Sequence, residues 1–293
     1  MNNLWLILGG CPRSGTTLLN FFLNSHPFIR LSNEQDLYRT AKIIDTCFYR
    51  EEHINKRTPR GLSKKEESVG AYEDEVDVST IKRAKSISPT LTAMYTSSLL
   101  GDQEDLSKFI IGDKYPKYYT WDLDFVSSVL GVPKFIHVTR NPYDVINSCI
   151  HRRDMAISGN DWWPIRSSSE YLNDWIDAWN FSSEKNLSDD FLHIKYEDFI
   201  ENPSAVSQKL ASFLDIENRF DISIVNVRRP EVARESQYKK LIEAHLAEEI
   251  LCWDMDVYEL QKKFPVIKRA HVGLDAERLS CLYQRKKKQW RSR

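Results

Sequence analysis

The chain opens on a short apolar run, Leu4 to Leu8, that passes into Gly9-Gly10-Cys11-Pro12-Arg13-Ser14-Gly15-Thr16-Thr17 and on into an amphipathic stretch from about Thr16 to Asn24. No other feature restricts the fold as much. A buried strand, a glycine-containing turn and a helix, in that order, aim several backbone N–H groups at one point beside the positive end of the helix dipole. Gly15 allows a ligand to approach the backbone closely, and Thr16 and Thr17 add hydroxyl donors. The segment therefore predicts an α/β protein with an anion site, most naturally for phosphate, at the end of its first strand. Gly10 and Gly15 have the spacing of the Walker loop, but Thr16 stands where that loop carries lysine. A nucleoside triphosphatase needs that lysine on the β- and γ-phosphates. Here the cation comes earlier, from Arg13, which favours anion transfer without the usual ATP machinery. The plain alternative is a strand–turn–helix corner that happens to hold an arginine.

The rest of the chain repeats the alternation. Phe109–Ile111 reads as a strand and 121–130 as a helix that Gly131 ends. Phe135–Val138 reads as a third strand, leading through Asn141-Pro142 into a helix to about Arg153, with Pro142 in its first turn. Phe191–Ile194 reads as a fourth. Strands alternating with helices predict a parallel central sheet flanked by helices. The 293 residues suit a single domain, 1–293. Two stretches interrupt the pattern: 36–107, whose middle is rich in charge and poor in apolar periodicity, and 155–186, which carries Trp162, Trp163, Trp175 and Trp179. The tail, 275–293, reads as a solvated helix end with six basic residues between Arg285 and Arg293.

Composition excludes several classes. Hydrophobic residues at 41%, aromatics at 12% and a net charge of −1 rule out disorder of the whole chain and argue against bulk nucleic-acid binding. No window holds about 18 or more uninterrupted apolar residues, so no membrane span is expected. Leu4–Leu8 is too short for a signal-peptide core. Cysteines 11, 47, 149, 252 and 281 are odd in number, widely spaced and without C-x-x-C, unlike a disulfide scaffold or zinc ribbon. The expectation is a reduced, cytoplasmic protein that needs no metal.

Three further blocks carry chemistry. Phe135-Ile136-His137-Val138-Thr139-Arg140 ends a strand in arginine, and Ser148 follows eight residues later in the next helix. A guanidinium at the end of a parallel strand can take a phosphate bidentately, with Ser148 adding a donor. Arg152 lies one helical turn beyond Ser148 on the same face, with His151 and Arg153 as adjacent alternatives. Lys114, in Gly112-Asp113-Lys114-Tyr115-Pro116, sits just past another strand, and Lys195-Tyr196-Glu197-Asp198 follows the fourth, with Glu197 and Asp198 suited to capping the next helix.

With these blocks the chain resembles the sulfotransferases that use 3′-phosphoadenosine-5′-phosphosulfate (PAPS). The resemblance rests on Pro12-Arg13-Ser14-Gly15-Thr16-Thr17-Leu18-Leu19 with His26-Pro27, on Arg140 with Ser148, and less specifically on Lys114 and Tyr196-Glu197-Asp198. It covers roughly 4–35 and 108–215 and is closer to the tyrosylprotein and bacterial branches, because cytosolic members carry lysine at the position of Arg13. The resemblance implies the P-loop-like sulfotransferase fold and PAPS as co-substrate. It implies that residues 13–17 hold the 5′-phosphosulfate, that Arg140 and Ser148 hold the 3′-phosphate, where helical spacing rather than the resemblance adds Arg152 as a third candidate, and that Tyr196 reaches the nucleotide. It further implies that Arg13 and Lys114 stabilise charge on the transferring group. In the tyrosylprotein branch a glutamate shortly after the His-Pro is the general base, which implies Glu34 here. As a residue alone, Glu34 reads equally as a carboxylate at a helix N-terminus, with Ser32 or Asn33 capping a helix from Gln35, and His26 is the rival base.

The implied acceptor is a small molecule or saccharide, bound between 36–107 and 155–186, where Trp162-Trp163-Pro164 forms a lid or wall. Tryptophans in such number are more often core. Arg228, Arg229 and Arg234 are candidates for closing over the nucleotide. A homodimer stays open. The competing classes are a P-loop kinase with a degenerate loop, for which Asp113 is the metal-binding candidate, and a scaffold that keeps the fold without catalysis.

Overall fold

The structure is a computed structural model that describes residues 5–43, 99–100, 108–185, 188–226, 239–247, 250–251, 253 and 255–272. Arg228, Arg229, Arg234, the tail from 273 and most of 36–107 lie outside the described residues.

Five parallel strands form one sheet in the order β2-β3-β1-β4-β5. They are β1 (Trp5–Gly10), β2 (Ile29–Asn33), β3 (Ile110–Lys114), β4 (Lys134–Thr139) and β5 (Phe191–Lys195). The helices that matter for the site are α1 (Thr16–Asn24), α2 (Leu123–Leu130), α3 (Pro142–Ser158), α4 (Ser168–Lys185), α5 (Tyr196–Glu201) and α6 (Pro203–Leu214).

The central strands read as continuous apolar runs because helices cover both faces of the sheet. On one face Leu6, Leu8, Ile136, Val138, Leu192 and Ile194 pack against Leu19, Phe22 and Leu23 of α1 and Val206 and Leu210 of α6. On the other, Ile7, Ile111, Phe135 and Phe191 pack against Tyr118 and against Val126 and Val129 of α2. A third cluster joins α3 and α4 to the C-terminal segment through Val145, Ile146, Trp175, Trp179, Trp253 and Leu260. Trp175 and Trp179 are thus core, stacked with ring centroids 5.3 Å apart. The described cysteines, Cys11 and Cys149, are free and buried.

β1, α1 and the C-terminal cap at Gly131, with φ 80°, agree with the sequence reading. β2 is the strand its sequence does not announce, since only Ile29 and Leu31 alternate with polar residues. It forms because it pairs with β3 from Ile29↔Ile110 to Asn33↔Lys114. The same pairing, with Leu6↔Gly112 to Leu8↔Lys114 on the other side, carries β3 past Ile111 to Lys114. α3 runs beyond Arg153 to Ser158, where Gly159, with φ 89°, stops it.

The chain leaves β1 toward β2 and leaves β4 toward β5 on the opposite side. Between the C-terminal ends of β1 and β4 the sheet opens a crevice, the usual ligand position in a parallel α/β sheet. The loop of residues 11–15 and Arg140 both sit there. Among the described residues, no helix is long and apolar enough to cross a membrane.

Candidate active site

The loop after β1 is shaped for close approach. Arg13 has φ 75° and Gly15, the residue before α1, has φ 97°. Ser14 N donates to Cys11 O at 3.1 Å, turning the chain. A Cβ on Gly15 would lie 2.2 Å from Cδ2 of Tyr196, and one on Gly10 would lie 2.2 Å from the Val138 carbonyl. The glycines are therefore required by the neighbours as well as by the backbone angle. α1 has no side-chain cap, so its first N–H groups stay available. The Ser14 hydroxyl is fully buried and has no partner among the described residues.

Three guanidiniums converge on this loop. Arg13 Nε donates to Ser148 Oγ at 2.9 Å. Arg13 lies 5.8 Å and Arg152 5.4 Å from the centre of the Trp163 ring. Arg140 lies 4.6 Å over the Tyr196 ring, with Nη1 donating to Arg13 O at 3.4 Å and Nη2 to Asp144 Oδ2 at 3.3 Å. Its Nε is buried without a partner among the described residues. Burial, and then the charges of Arg152 and Arg140, hold the Arg13 pKa below its usual value. Crowded, partly buried cations beside an uncapped helix start, with an orphaned hydroxyl and an orphaned Nε, suit a multiply charged anion such as a phosphate ester.

At the other end stands a carboxylate–lysine pair. The Lys114 ammonium, whose side chain is 1% exposed, pairs with the Glu34 carboxylate, whose side chain is 46% exposed. Lys114 Nζ also reaches Thr17 Oγ1 at 3.5 Å. Glu34 N donates to Lys114 O at 2.8 Å. Glu34 does not belong to a helix N-terminus. It sits in a turn with φ 61°, and the helical stretch from Leu37 is capped by Asp36 Oδ1, which accepts from Arg39 N at 3.2 Å. The turn is braced by Asp113, which is wholly buried and accepts from Ser32 Oγ at 2.6 Å and from Gln35 N and Leu37 N at 3.2 Å each. Burial raises the Asp113 pKa, and these hydrogen bonds oppose the rise.

Both ends open into one cavity of about 960 Å³. Arg13, Gly15, Thr16, Thr17, Glu34, Arg140, Arg152 and Tyr196 line it, together with Pro12, Leu18, Tyr115, Pro116, Lys117, Trp162, Trp163 and Pro164. Ser14, Lys114 and Ser148 are not part of that lining; Lys114 pairs with Glu34, and Ser148 accepts from Arg13. Of the three neighbours on α3, Arg152 faces the cavity, paired with Asp161, while Arg153 pairs with Asp154 and His151 is exposed. Lys117 is held by Asp174 at 2.6 Å.

The structure redirects other readings. Trp163 is a wall of the cavity, and Trp162 stands 65% exposed at its mouth, so these two part company with the core pair. His26 is buried, with Phe28 N donating to Nδ1 at 3.2 Å and Nε2 facing Glu217 O at 3.0 Å. The Phe28 bond puts the proton on Nε2, and the ring serves as a strut. His137 is buried against Tyr118 Oη at 3.0 Å. Glu197 and Asp198 lie in the first turn of α5, as expected, while the Glu197 carboxylate accepts from Asn141 N and Trp253 Nε1, and α6 is capped by Asn202. Sequence reasoning did not find Tyr115, Pro116 and Lys117 as lining. Their signal was adjacency to Lys114 in a loop that turns back over the strand ends.

Residues 6–221 match the sulfotransferase family. Among solved structures, the chain is similar to the sulfotransferase domain from the curacin biosynthetic pathway, at 16% identity and a TM-score of 0.48 over 99% of this chain and 98% of that one. It is similar to a sulfotransferase from Alicyclobacillus acidocaldarius, at 14% identity and a TM-score of 0.47 over 89% and 95%. It is also similar to a mouse sulfotransferase complexed with PAP, at 15% identity and a TM-score of 0.39 over 97% and 84%. No curated protein matches the chain.

Proposed function

The chain belongs to the sulfotransferase family, and from that premise we propose that it moves the sulfuryl group of PAPS to a hydroxyl, or an amine, of a small molecule or saccharide. The observation that carries this reading is the shared cavity. An arginine-rich anion pocket at the start of α1 and a lysine-bound carboxylate open into the same space.

In this reading the loop N–H groups and Arg13 hold the 5′-phosphosulfate, and Arg140, with Ser148 and Arg152, holds the 3′-phosphate. Glu34 takes the proton from the acceptor oxygen as that oxygen attacks sulfur. The S–O bond to the 5′-phosphate breaks, leaving adenosine 3′,5′-bisphosphate and the sulfate ester. Proton uptake neutralises Glu34 and releases the Lys114 ammonium from its partner. Lys114 is then free to meet the charge that grows on the leaving oxygen, beside Thr17. Fixed donors aimed at developing charge are usually the largest catalytic contribution. The wall of Tyr115, Pro116, Trp162 and Trp163 is the acceptor side.

A P-loop kinase fits less well. Thr16 replaces the Walker lysine, and both oxygens of Asp113, its metal-binding candidate, are occupied by Ser32, Gln35 and Leu37. The deciding experiment is thermal unfolding with adenosine 3′,5′-bisphosphate against ATP plus magnesium. The bisphosphate alone is expected to stabilise, by about 2.7 kcal/mol at a hundred times its Kd. Stabilisation by ATP–magnesium alone would overturn the proposal.

A further inference from the structure

The peptide unit that joins Arg140 to Asn141 is gripped on both of its polar atoms by side chains from other elements. Its carbonyl accepts from Trp175 Nε1 of α4 at 2.9 Å. Its N–H donates to Glu197 Oε1 of α5 at 2.9 Å. The second oxygen of Glu197 accepts from Trp253 Nε1 at 2.7 Å. Trp175 and Trp253 meet edge to face, with ring centroids 6.1 Å apart. Two indoles in contact thus supply two of the three hydrogen bonds of this clamp, and the Glu197 carboxylate joins the Trp253 indole to the peptide N–H. The Lys195 ammonium donates to the carbonyls of Trp253 and Met255, which ties the C-terminal segment to the end of β5.

This peptide joins the residue after β4 to the N-cap of α3, and its rotation sets the direction in which the Arg140 side chain leaves the strand end. Beyond this peptide, Arg140 is held by the face of the Tyr196 ring at 4.6 Å and by Asp144. Its own contacts are long, at 3.4 Å to Arg13 O and 3.3 Å to Asp144, and its Nε is unpartnered among the described residues. A carboxylate at 197 is the side chain that suits the place, because both the Asn141 N–H and the Trp253 indole need an acceptor and an amide offers only one oxygen.

We propose that Glu197 and Trp175 are positioning residues for Arg140, fixing its guanidinium for the 3′-phosphate of the donor. The inference rests on the reading of the cavity as the PAPS site. It makes recognition of the 3′-phosphate depend on the C-terminal segment at Trp253, which touches no ligand itself.

The test compares the Kd of adenosine 3′,5′-bisphosphate with that of adenosine 5′-monophosphate, by calorimetry on the full chain. The ratio isolates the 3′-phosphate, and a merely structural role would lower the unfolding temperature without moving it. Glu197→Gln and Trp175→Phe are each expected to shrink the ratio by up to about tenfold, the scale of one hydrogen bond. Trp253→Phe, which frees one oxygen of Glu197, is expected to shrink it less. If Glu197→Gln does not fold, Trp175→Phe carries the same comparison, since it removes the indole N–H and keeps an aromatic ring in the core, with unfolding followed in parallel for the space it leaves. A ratio unchanged in these variants but collapsed in Arg140→Ala overturns the positioning role and leaves the donor site standing. A ratio that Arg140→Ala does not change overturns both.

Discussion

Arg13 and Ser148, 135 residues apart in the chain, are joined by a hydrogen bond in which Nε donates to Oγ at 2.9 Å. The bond ties the loop after β1 to the middle of α3 and points the remaining guanidinium N–H groups toward the cavity. Arg13→Ala is expected to lower the release of adenosine 3′,5′-bisphosphate from PAPS by about 10²–10³ in kcat, as loss of a fixed donor does. Ser148→Ala leaves the cation but not its aim, and is expected to weaken bisphosphate binding by about tenfold in calorimetry. Equal affinity in Ser148→Ala and wild type would refute this account of the pair.

Gly15 faces Tyr196 too closely for any side chain. Gly15→Ala meets two penalties, a ring carbon at 2.2 Å and a φ of 97°. It is expected to cost about 1–3 kcal/mol in urea unfolding and to remove the stabilisation given by the bisphosphate. Tyr196→Ala in the same chain should restore only part of the loss, because the backbone angle stays unfavourable. Full restoration would show that the strain at φ is negligible.

Asp113 braces the turn at 34–37 that carries Glu34, accepting from Gln35 N and Leu37 N at 3.2 Å each. Glu34→Gln is expected to lower kcat by about 10²–10⁴ with the bisphosphate Kd unchanged, the signature of a lost general base. It also leaves the buried Lys114 without its anion, so unfolding is to be followed in parallel. Asp113→Asn keeps one acceptor oxygen where two are used, and kcat falls because the turn that carries Glu34 loosens. In the Glu34→Gln background the Asp113 substitution should add little further loss of kcat. Fully multiplicative losses would mean that Asp113 acts elsewhere.

His137 and His193 lie side by side on β4 and β5, with ring centroids 5.2 Å apart. Burial pushes His193 down to about 3 and holds His137 well below its usual value. Both are neutral when folded, whereas the unfolded chain protonates them near pH 6.5. Their contribution to stability is complete above about pH 6.5 and is lost as pH falls toward 3, by up to about 1.4 kcal/mol per pH unit for each histidine. Urea midpoints measured at pH 7.5, 6 and 5 should fall more steeply for wild type than for His193→Gln. Parallel slopes would exclude His193 as a source of acid sensitivity.

Much of this protein is local, and local features are legible in the chain. Gly15, the apolar run before it and the helical phase after it act over a few residues, so β1, α1 and the anion loop follow from sequence. The resemblance pointed to Arg13, Glu34, Arg140 and Tyr196 and helical spacing to Arg152, and all five border the same cavity. The limits of β3 and the existence of β2 depend on what they pair with, and their own residues are too few and too mixed to announce it.

What tertiary structure alone decided are the partners. Helical spacing from Ser148 favours Arg152 over its neighbours His151 and Arg153, and the rotation of α3 on the sheet is what turns it toward Trp163. Asp113 is the metal-site candidate of the sequence and a strut of the fold, because β2 pairs beside it and presents Ser32 to its carboxylate. Glu197 suits a helix cap by position, yet it spans to Asn141 and Trp253, each 56 residues away. Periodicity and turn chemistry act over one or two helical turns. A buried polar group takes whichever partner the packed chain brings within about 3 Å, and that choice is made only when the layers close.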